Sequence, residues 1–278
     1  MIKDMKTKLI ALDLDHTTLR EDRSLSPKNA AALTRAVEKG IVLVVASGRA
    51  FRTFSREVLD IPGIRCAISG NGSAQWDIEK DLCLQNFTLP GDQVPTILEC
   101  IDENIIFEVM MDGRPYCPDF YYEDSVRYGG NPKSRAFTLA TRTPVHDIRA
   151  FALKHRDNIS WIQSYPKDMV RKQEIWEEVE KRTSGVRVAS ALKGLLEFYS
   201  PGASKKGGLE FFCTWLGIDP EEAVAFGDAE NDREMMGYAG RCVAVGNAIE
   251  PLKEMADFVS LNSWDDGVAH AFERYLGI

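Results

Sequence analysis

From Leu9 to Leu12 every position is apolar, and carboxylates enter only at Asp13 and Asp15. A run that is apolar on both faces is the pattern of a strand covered on both sides, as in the centre of a parallel sheet. The same texture returns at Ile41 to Ala46 and at Cys66 to Ile68. Helical spacing fills the intervals. Ser26 and Pro27 give a cap and a first-turn proline, and Ala30, Leu33 and Val37 share one face before Gly40 ends the segment. A second predicted helix carries Phe51, Phe54 and Val58. Strand alternating with helix predicts a parallel sheet with right-handed crossovers.

The rhythm changes near Leu84 and stays changed to about Val188. Helix-like runs at Val94 to Ile101, Ile148 to Leu153 and Ile175 to Val179 alternate with short strand-like pieces. Met111 to Pro115 reads as a hairpin turn around Asp112 and Gly113. The first rhythm resumes with a strand at Leu195 to Tyr199, and a helix through Leu209, Phe212 and Leu216 follows. Strands come next at Ala223 to Phe226 and Cys242 to Val245. Asn247 is placed to cap a helix through Leu252 and Met255, before a strand at Phe258 and Val259 and a closing helix through Val268, Phe272 and Tyr275. The predicted class is α/β, with a Rossmann-like parallel-sheet core over residues 1–83 and 188–278. Residues 84–187 form an inserted α+β domain.

Composition changes this picture little. The 278 residues are 44% hydrophobic and 27% charged, with 34 basic against 42 acidic side chains and a net charge of -8. The basic residues are scattered, so no nucleic-acid footprint is present, and no window has the length of a membrane span. The first eight residues are too charged for a signal-peptide apolar region. Six cysteines show no CxxC spacing, which argues for reduced thiols in a cytoplasmic protein rather than zinc or disulfides.

The polar residues at strand ends carry the chemistry. Asp13 with Asp15, Ser47 with Gly48, Asn71, and Asp228 each close a predicted strand, and Lys205 opens a helix. In an open α/β sheet these positions meet at one edge although they are spread over more than 200 residues of sequence. Side chains repeat with period two, so Asp13 and Asp15 lean the same way if the strand persists. Two close carboxylates at an apolar edge call for a cation, although Asp pairs also simply cap turns. Asp228 or Asp232 alone could be a helix cap, and Glu230 reads as solvated. Lys205 stands at the wrong end of a helix dipole for a cation, which points to function or to a tolerant surface site; Lys206 reads as its exposed neighbour.

Asp13, Asp15 and Thr17, then Ser47-Gly48-Arg49, then Lys205, then Gly227-Asp228 with Asn231 and Asp232, resemble the four ordered motifs of the haloacid dehalogenase superfamily. Insert length and the Asn71-Gly72 step resemble its Cof-type sugar-phosphatase branch, in which a large α/β cap stands between the second and third motifs. His16 is a departure, since the family most often has glycine there, and Thr18 stands where leucine is usual.

The resemblance implies a phosphatase acting on small phosphomonoesters, sugar phosphates first, through an aspartyl-phosphate. Asp13 would be the nucleophile, Asp15 the general acid and then base, and Lys205 the neutralising cation. Ser47, Gly48, Lys205 and Asn231 would bind the phosphoryl group. Mg²⁺ would be held by Asp13, the Asp15 carbonyl, Asp228 and Asp232. Arg49 and Asn71 would face the substrate, with Arg49 equally placed to pair with a carboxylate, and the insert would act as a lid. Pyridoxal phosphate and flavin mononucleotide would suit an aromatic-lined cap equally well. A phosphomutase shares this machinery, and a non-catalytic binding protein would have lost Asp13, Lys205 or Asp228. A receiver domain would be shorter, and no GxxxxGK[ST] supports a P-loop enzyme. The expected partner is a small phosphorylated metabolite, with no nucleic acid and no membrane; oligomeric state is not readable.

Overall fold

The computed structural model describes residues 6–128, 130–190 and 193–278, which form two units. Of the described residues, the first comprises those from 6 to 49, 54 to 85 and 204 to 278; the second comprises those of 50–53 and the described residues between 86 and 203.

In the first unit β1 (Leu9–Asp13), β2 (Val42–Ala46), β3 (Cys66–Ser69), β4 (Ala74–Asp77) and β5 (Leu82–Asn86) make one flank of an eight-stranded sheet. β1 lies at the centre, parallel to β2, and β2 is parallel to β3. β4 turns back antiparallel to β3. The expected double coverage is met, since every residue of β1 is buried. Helix Pro27–Glu38 starts as its sequence requires, with the Ser26 hydroxyl accepting from the Asn29 amide and Pro27 in the first turn. The predicted helix through Phe51, Phe54 and Val58 is broken. A single 3₁₀ turn spans Phe51–Thr53 and a short helix Arg56–Leu59 follows. Residues 50–53 instead join the second unit, where the Arg52 amide donates to the Gly113 carbonyl.

The second unit holds β6 (Phe107–Met111), β7 (Arg114–Pro118), β8 (Thr143–Val145), β9 (Trp161–Ser164), β10 (Arg187–Ala189) and β11 (Leu196–Tyr199). They form one sheet in the order β10-β11-β9-β6-β7-β8. Asp112 and Gly113 both have positive φ at the β6–β7 turn, as a tight hairpin demands. Helices Val94–Cys100, Ile148–Lys154 and Met169–Arg182 bury Ile97, Leu98, Ile148, Ala152, Ile175 and Val179 against Val109, Ile162 and Phe198. Glu108 is buried in this unit yet fully partnered, by Arg142 at 3.0 Å, Gln163 at 2.6 Å and Tyr165 at 3.0 Å. That partnering is what a buried carboxylate needs to be tolerated.

β11 corrects an expectation. Leu195 to Tyr199 was expected to resume the parallel core, but it pairs antiparallel with β9 and β10. The chain returns to the first unit at Ser204. β12 (Ala223–Gly227), β13 (Arg241–Ala244) and β14 (Phe258–Val259) then complete the first sheet, β12 lying parallel on the other side of β1. Helices Lys205–Leu216, Arg233–Tyr238 and Glu250–Met255 cover one face through Leu209, Phe212, Met235, Met236 and Leu252. Asn247 does not cap the last of these. Its amide donates to the His16 carbonyl at 2.7 Å and its oxygen accepts from the Ser263 amide, so it ties two loops instead. Among the described residues no helix is long and apolar enough to cross a membrane. All six cysteines are free thiols.

Candidate active site

Register explains why distant residues converge. Asp13 pairs with Ala46, and Leu12 pairs with Phe226, so Ser47 and Asp228 leave their strands beside the end of β1. Ala46 pairs with Ile68, which brings the β3 exit to the same edge. β1 lies where the strand order reverses, the crevice in which open α/β sheets bind ligands.

Asp13 is buried, and its Oδ1 accepts from the Lys205 ammonium at 2.6 Å. The same ammonium donates to Asp232 Oδ1, also at 2.6 Å. Lys205 is therefore no tolerant surface residue: its side chain is 1% exposed. Its helix starts with the Ser204 hydroxyl accepting from the Gly207 amide, which fixes where the lysine enters. Gly72 makes that entry possible. Its φ is +98, and a Cβ there would stand 2.0 Å from the Ser204 carbonyl oxygen.

Asp232 Oδ2 accepts from the backbone amides of Asp228 and Ala229, at 3.0 and 3.1 Å. It thereby shapes the loop that carries Asp228. Thr17 donates to Asp228 Oδ1 at 2.9 Å, and Thr18 donates to the Asp13 carbonyl at 2.6 Å. Asn29, fully buried, donates to the Thr18 carbonyl and accepts from the Ala269 amide. Sequence reasoning gave no role to Thr18 and Asn29; a polar residue on the buried face of an amphipathic helix was the available signal.

Asp13, Asp228 and Asp232 place carboxylate oxygens within 4.8 Å of one another. Burial pushes the Asp13 carboxyl well above its usual range, reinforced by Asp232 and Asp228 and opposed by Lys205. Burial likewise raises Asp228, with Asp232 adding to it and the Thr17 hydrogen bond opposing. Burial alone would lower Lys205, but Asp13 and Asp232 outweigh it and hold the ammonium above the ordinary lysine range. Three carboxylates thus share one cation. A set of hard oxygen donors with excess negative charge fits a divalent metal ion.

Asp15 lies beyond the end of β1, so strand alternation is not what orients it. Arg49 takes it instead, with Nε 2.7 Å from Oδ2 and Nη2 bonded to Oδ1. The Ser47 hydroxyl lies 3.5 Å from Asp15 Oδ2 and accepts from the Arg49 amide at 3.2 Å. Of the two readings open for Arg49, the carboxylate pair is the one present. Asn71 is buried with φ +52, and its amide oxygen accepts from Asn231 at 3.0 Å. A Cβ at Gly48 would lie 3.1 Å from the same oxygen, so Asn71 buttresses Gly48 and Asn231 from behind. His16 is exposed with φ +61, the left-handed region that glycine occupies without strain. Glu230 and Lys206 pair with Arg233 and Glu210 at the surface, away from the cluster.

The family description haloacid dehalogenase-like hydrolase matches residues 10–272. A phosphatase of Bacillus subtilis, YwpJ, is 32% identical over 97% of this chain and the whole of its own length. A 5-amino-6-(5-phospho-D-ribitylamino)uracil phosphatase of the same organism is 27% identical, covering 99% of this chain and all of that protein. Among solved structures, a haloacid dehalogenase-like hydrolase from Bacteroides thetaiotaomicron superposes with a TM-score of 0.83 at 28% identity, covering 97% of this chain and 99% of that one.

Proposed function

The chain belongs to the haloacid dehalogenase-like hydrolase family and is an enzyme of its phosphatase type, and from that premise we propose a Mg²⁺-dependent hydrolysis of small phosphomonoesters through a phosphorylated Asp13. Lys205, bridging Asp13 and Asp232 inside a cluster of three carboxylates, is the observation that carries this reading. A carboxylate attacks a phosphate dianion only where cations surround both.

Asp13 is the nucleophile, forming a bond to phosphorus as the bond to the leaving oxygen breaks. Lys205 neutralises Asp13 and the transferring oxygens. The Ser47 hydroxyl, the Gly48 amide and the Asn231 amide donate hydrogen bonds to the phosphoryl oxygens. Asp15 gives its proton to the leaving alcohol and then takes one from the water that releases inorganic phosphate and restores Asp13. Asp13, Asp228, Asp232 and the Asp15 carbonyl would hold the metal ion. When bound, Mg²⁺ supplies charge neutralisation for the phosphoryl group beyond what Lys205 provides.

The inserted unit selects the leaving group, with sugar phosphates as the first class, and the free thiols support a cytoplasmic setting. The phosphorylated ribitylamino substrate in a relative's name belongs to the same class of polyhydroxylated monoesters. The test is a phosphate-release screen over sugar phosphates, pyridoxal phosphate and flavin mononucleotide, with Mg²⁺ and with a chelator. Release that needs the metal and vanishes in Asp13→Asn is expected. Activity surviving either change removes the reading. A hexose 1-phosphate in the panel separates free phosphate from a 6-phosphate product, hence hydrolysis from mutase action.

A further inference from the structure

We propose that Arg49 is a positioning residue for Asp15, setting the orientation from which that carboxylate reaches the leaving oxygen and later the water. The inference rests on the phosphatase reading and deepens it, because nothing in that reading assigns Arg49 a task.

The geometry is specific. A guanidinium presents two parallel N–H bonds that match the two oxygens of a carboxylate, and here Nε and Nη2 each meet a different oxygen of Asp15. Such a fork fixes the plane of the carboxylate as well as its place. The Ser47 hydroxyl adds a third bond and is itself held by the Arg49 amide, so side chain and backbone of one residue converge on the same acid. Asp15 lies past the last residue of β1, where an isolated bridge to Leu19 replaces the sheet ladder. Its side chain is 34% exposed and that of Arg49 17%. Arg49 therefore covers one edge of the carboxylate and leaves the rest open to solvent, the disposition that a group exchanging protons with an incoming ester and then with water requires. Fixing a side chain in advance removes its rotamer entropy from the activation barrier.

Arg49→Ala frees Asp15 without removing it, and p-nitrophenyl phosphate exposes the consequence. Its leaving group departs without a proton, so phosphorylation of Asp13 does not need a well-aimed acid. Dephosphorylation still needs the base. Rapid mixing of Arg49→Ala with p-nitrophenyl phosphate and Mg²⁺ is expected to show a burst of about one nitrophenolate per site. Steady turnover then falls by roughly 10²-fold, with KM for that substrate not raised. An alkyl monoester such as glycerol phosphate gives no burst, because both half-reactions are slowed. Arg49→Lys keeps the charge but not the fork, and is expected to behave like Arg49→Ala rather than like the parent.

A raised KM with unchanged kcat would make Arg49 a substrate-binding group and overturn the proposal. So would unchanged turnover in both variants, or full rescue by lysine. An Arg49→Ala protein that does not fold leaves the Arg49→Lys comparison to decide by the same criteria. Parent activity that is absent, or that survives Asp13→Asn, overturns the phosphatase reading itself, and is read before either Arg49 variant is made.

Discussion

Replacing Asp13 by asparagine should abolish turnover and, without metal, make the protein more stable. The carboxylate sits with two others within 4.8 Å and one ammonium at 2.6 Å. At an effective dielectric of about 20, each neighbouring carboxylate repels it by about 3 kcal/mol or more, and the ammonium attracts it by about 6 kcal/mol. These pair energies nearly cancel, so the loss of hydration on burial decides the sign, and it disfavours the charge. That balance agrees with burial being the largest cause of the raised Asp13 carboxyl. Asparagine has the same shape and keeps an oxygen to accept from Lys205. Lys205 keeps Asp232 as its ionic partner at 2.6 Å, so the substitution removes one of three crowded carboxylates without leaving a buried ammonium unpaired, and a gain of about 1 kcal/mol is expected. Thermal melting of both proteins in chelator measures it, at about 2–4 °C per kcal/mol for a chain of this size. Added Mg²⁺ should narrow or reverse the gap, because ligand binding stabilises only the protein that binds it well. An asparagine variant that melts below the parent in chelator would refute the reasoning, since Lys205 attraction would then outweigh desolvation.

Two further outcomes follow from local geometry. His16→Gly should stabilise the fold by about 0.5 kcal/mol, the relief of a left-handed backbone at φ +61 less the entropy glycine adds to the unfolded chain; a urea titration showing a loss above about 1 kcal/mol contradicts it. The Arg171 hydrogen bond holds the Asp102 carboxyl below its usual value of 3.8. A depressed carboxylate contributes stability that is present above that value and is lost as pH falls through the folded-state value. Asp102→Asn should therefore be weaker than the parent at pH 7, by less than about 1 kcal/mol because the pair is partly exposed, and the difference should begin to close below about pH 4 and vanish only under the depressed folded-state value.

The central strands were legible because a buried parallel strand must be apolar on both faces, and β1 and β12 are buried throughout. β11 shows the limit of that signal. It too is buried at every residue, so its sequence carries no mark of the antiparallel sheet that claims it. Asp13, Lys205 and Asp228 could be found from strand ends and from a cation at an unfavourable helix start. Asn71 was legible at its strand end and expected to face the substrate, but its bond with Asn231 depends on a left-handed backbone that no spacing announces. Arg49 was equally compatible with two partners until the distance to Asp15 chose one. Thr18 and Asn29 act through backbone groups, and such contacts leave no spacing pattern to read.

Pairing β1 with both β2 and β12 has a consequence for biosynthesis. One neighbour of β1 is translated about thirty residues later, the other more than two hundred. During that interval one edge of β1 lacks its partner, while the contiguous stretch from Asn86 to Ala203 emerges complete enough to close its own sheet. Asp13 is the first acid of the cluster to leave the ribosome, and it waits longest for company. A nascent chain arrested before Ala223 would carry every strand of the insert's sheet, together with Asp13 and Lys205, but neither Asp228 nor Asp232.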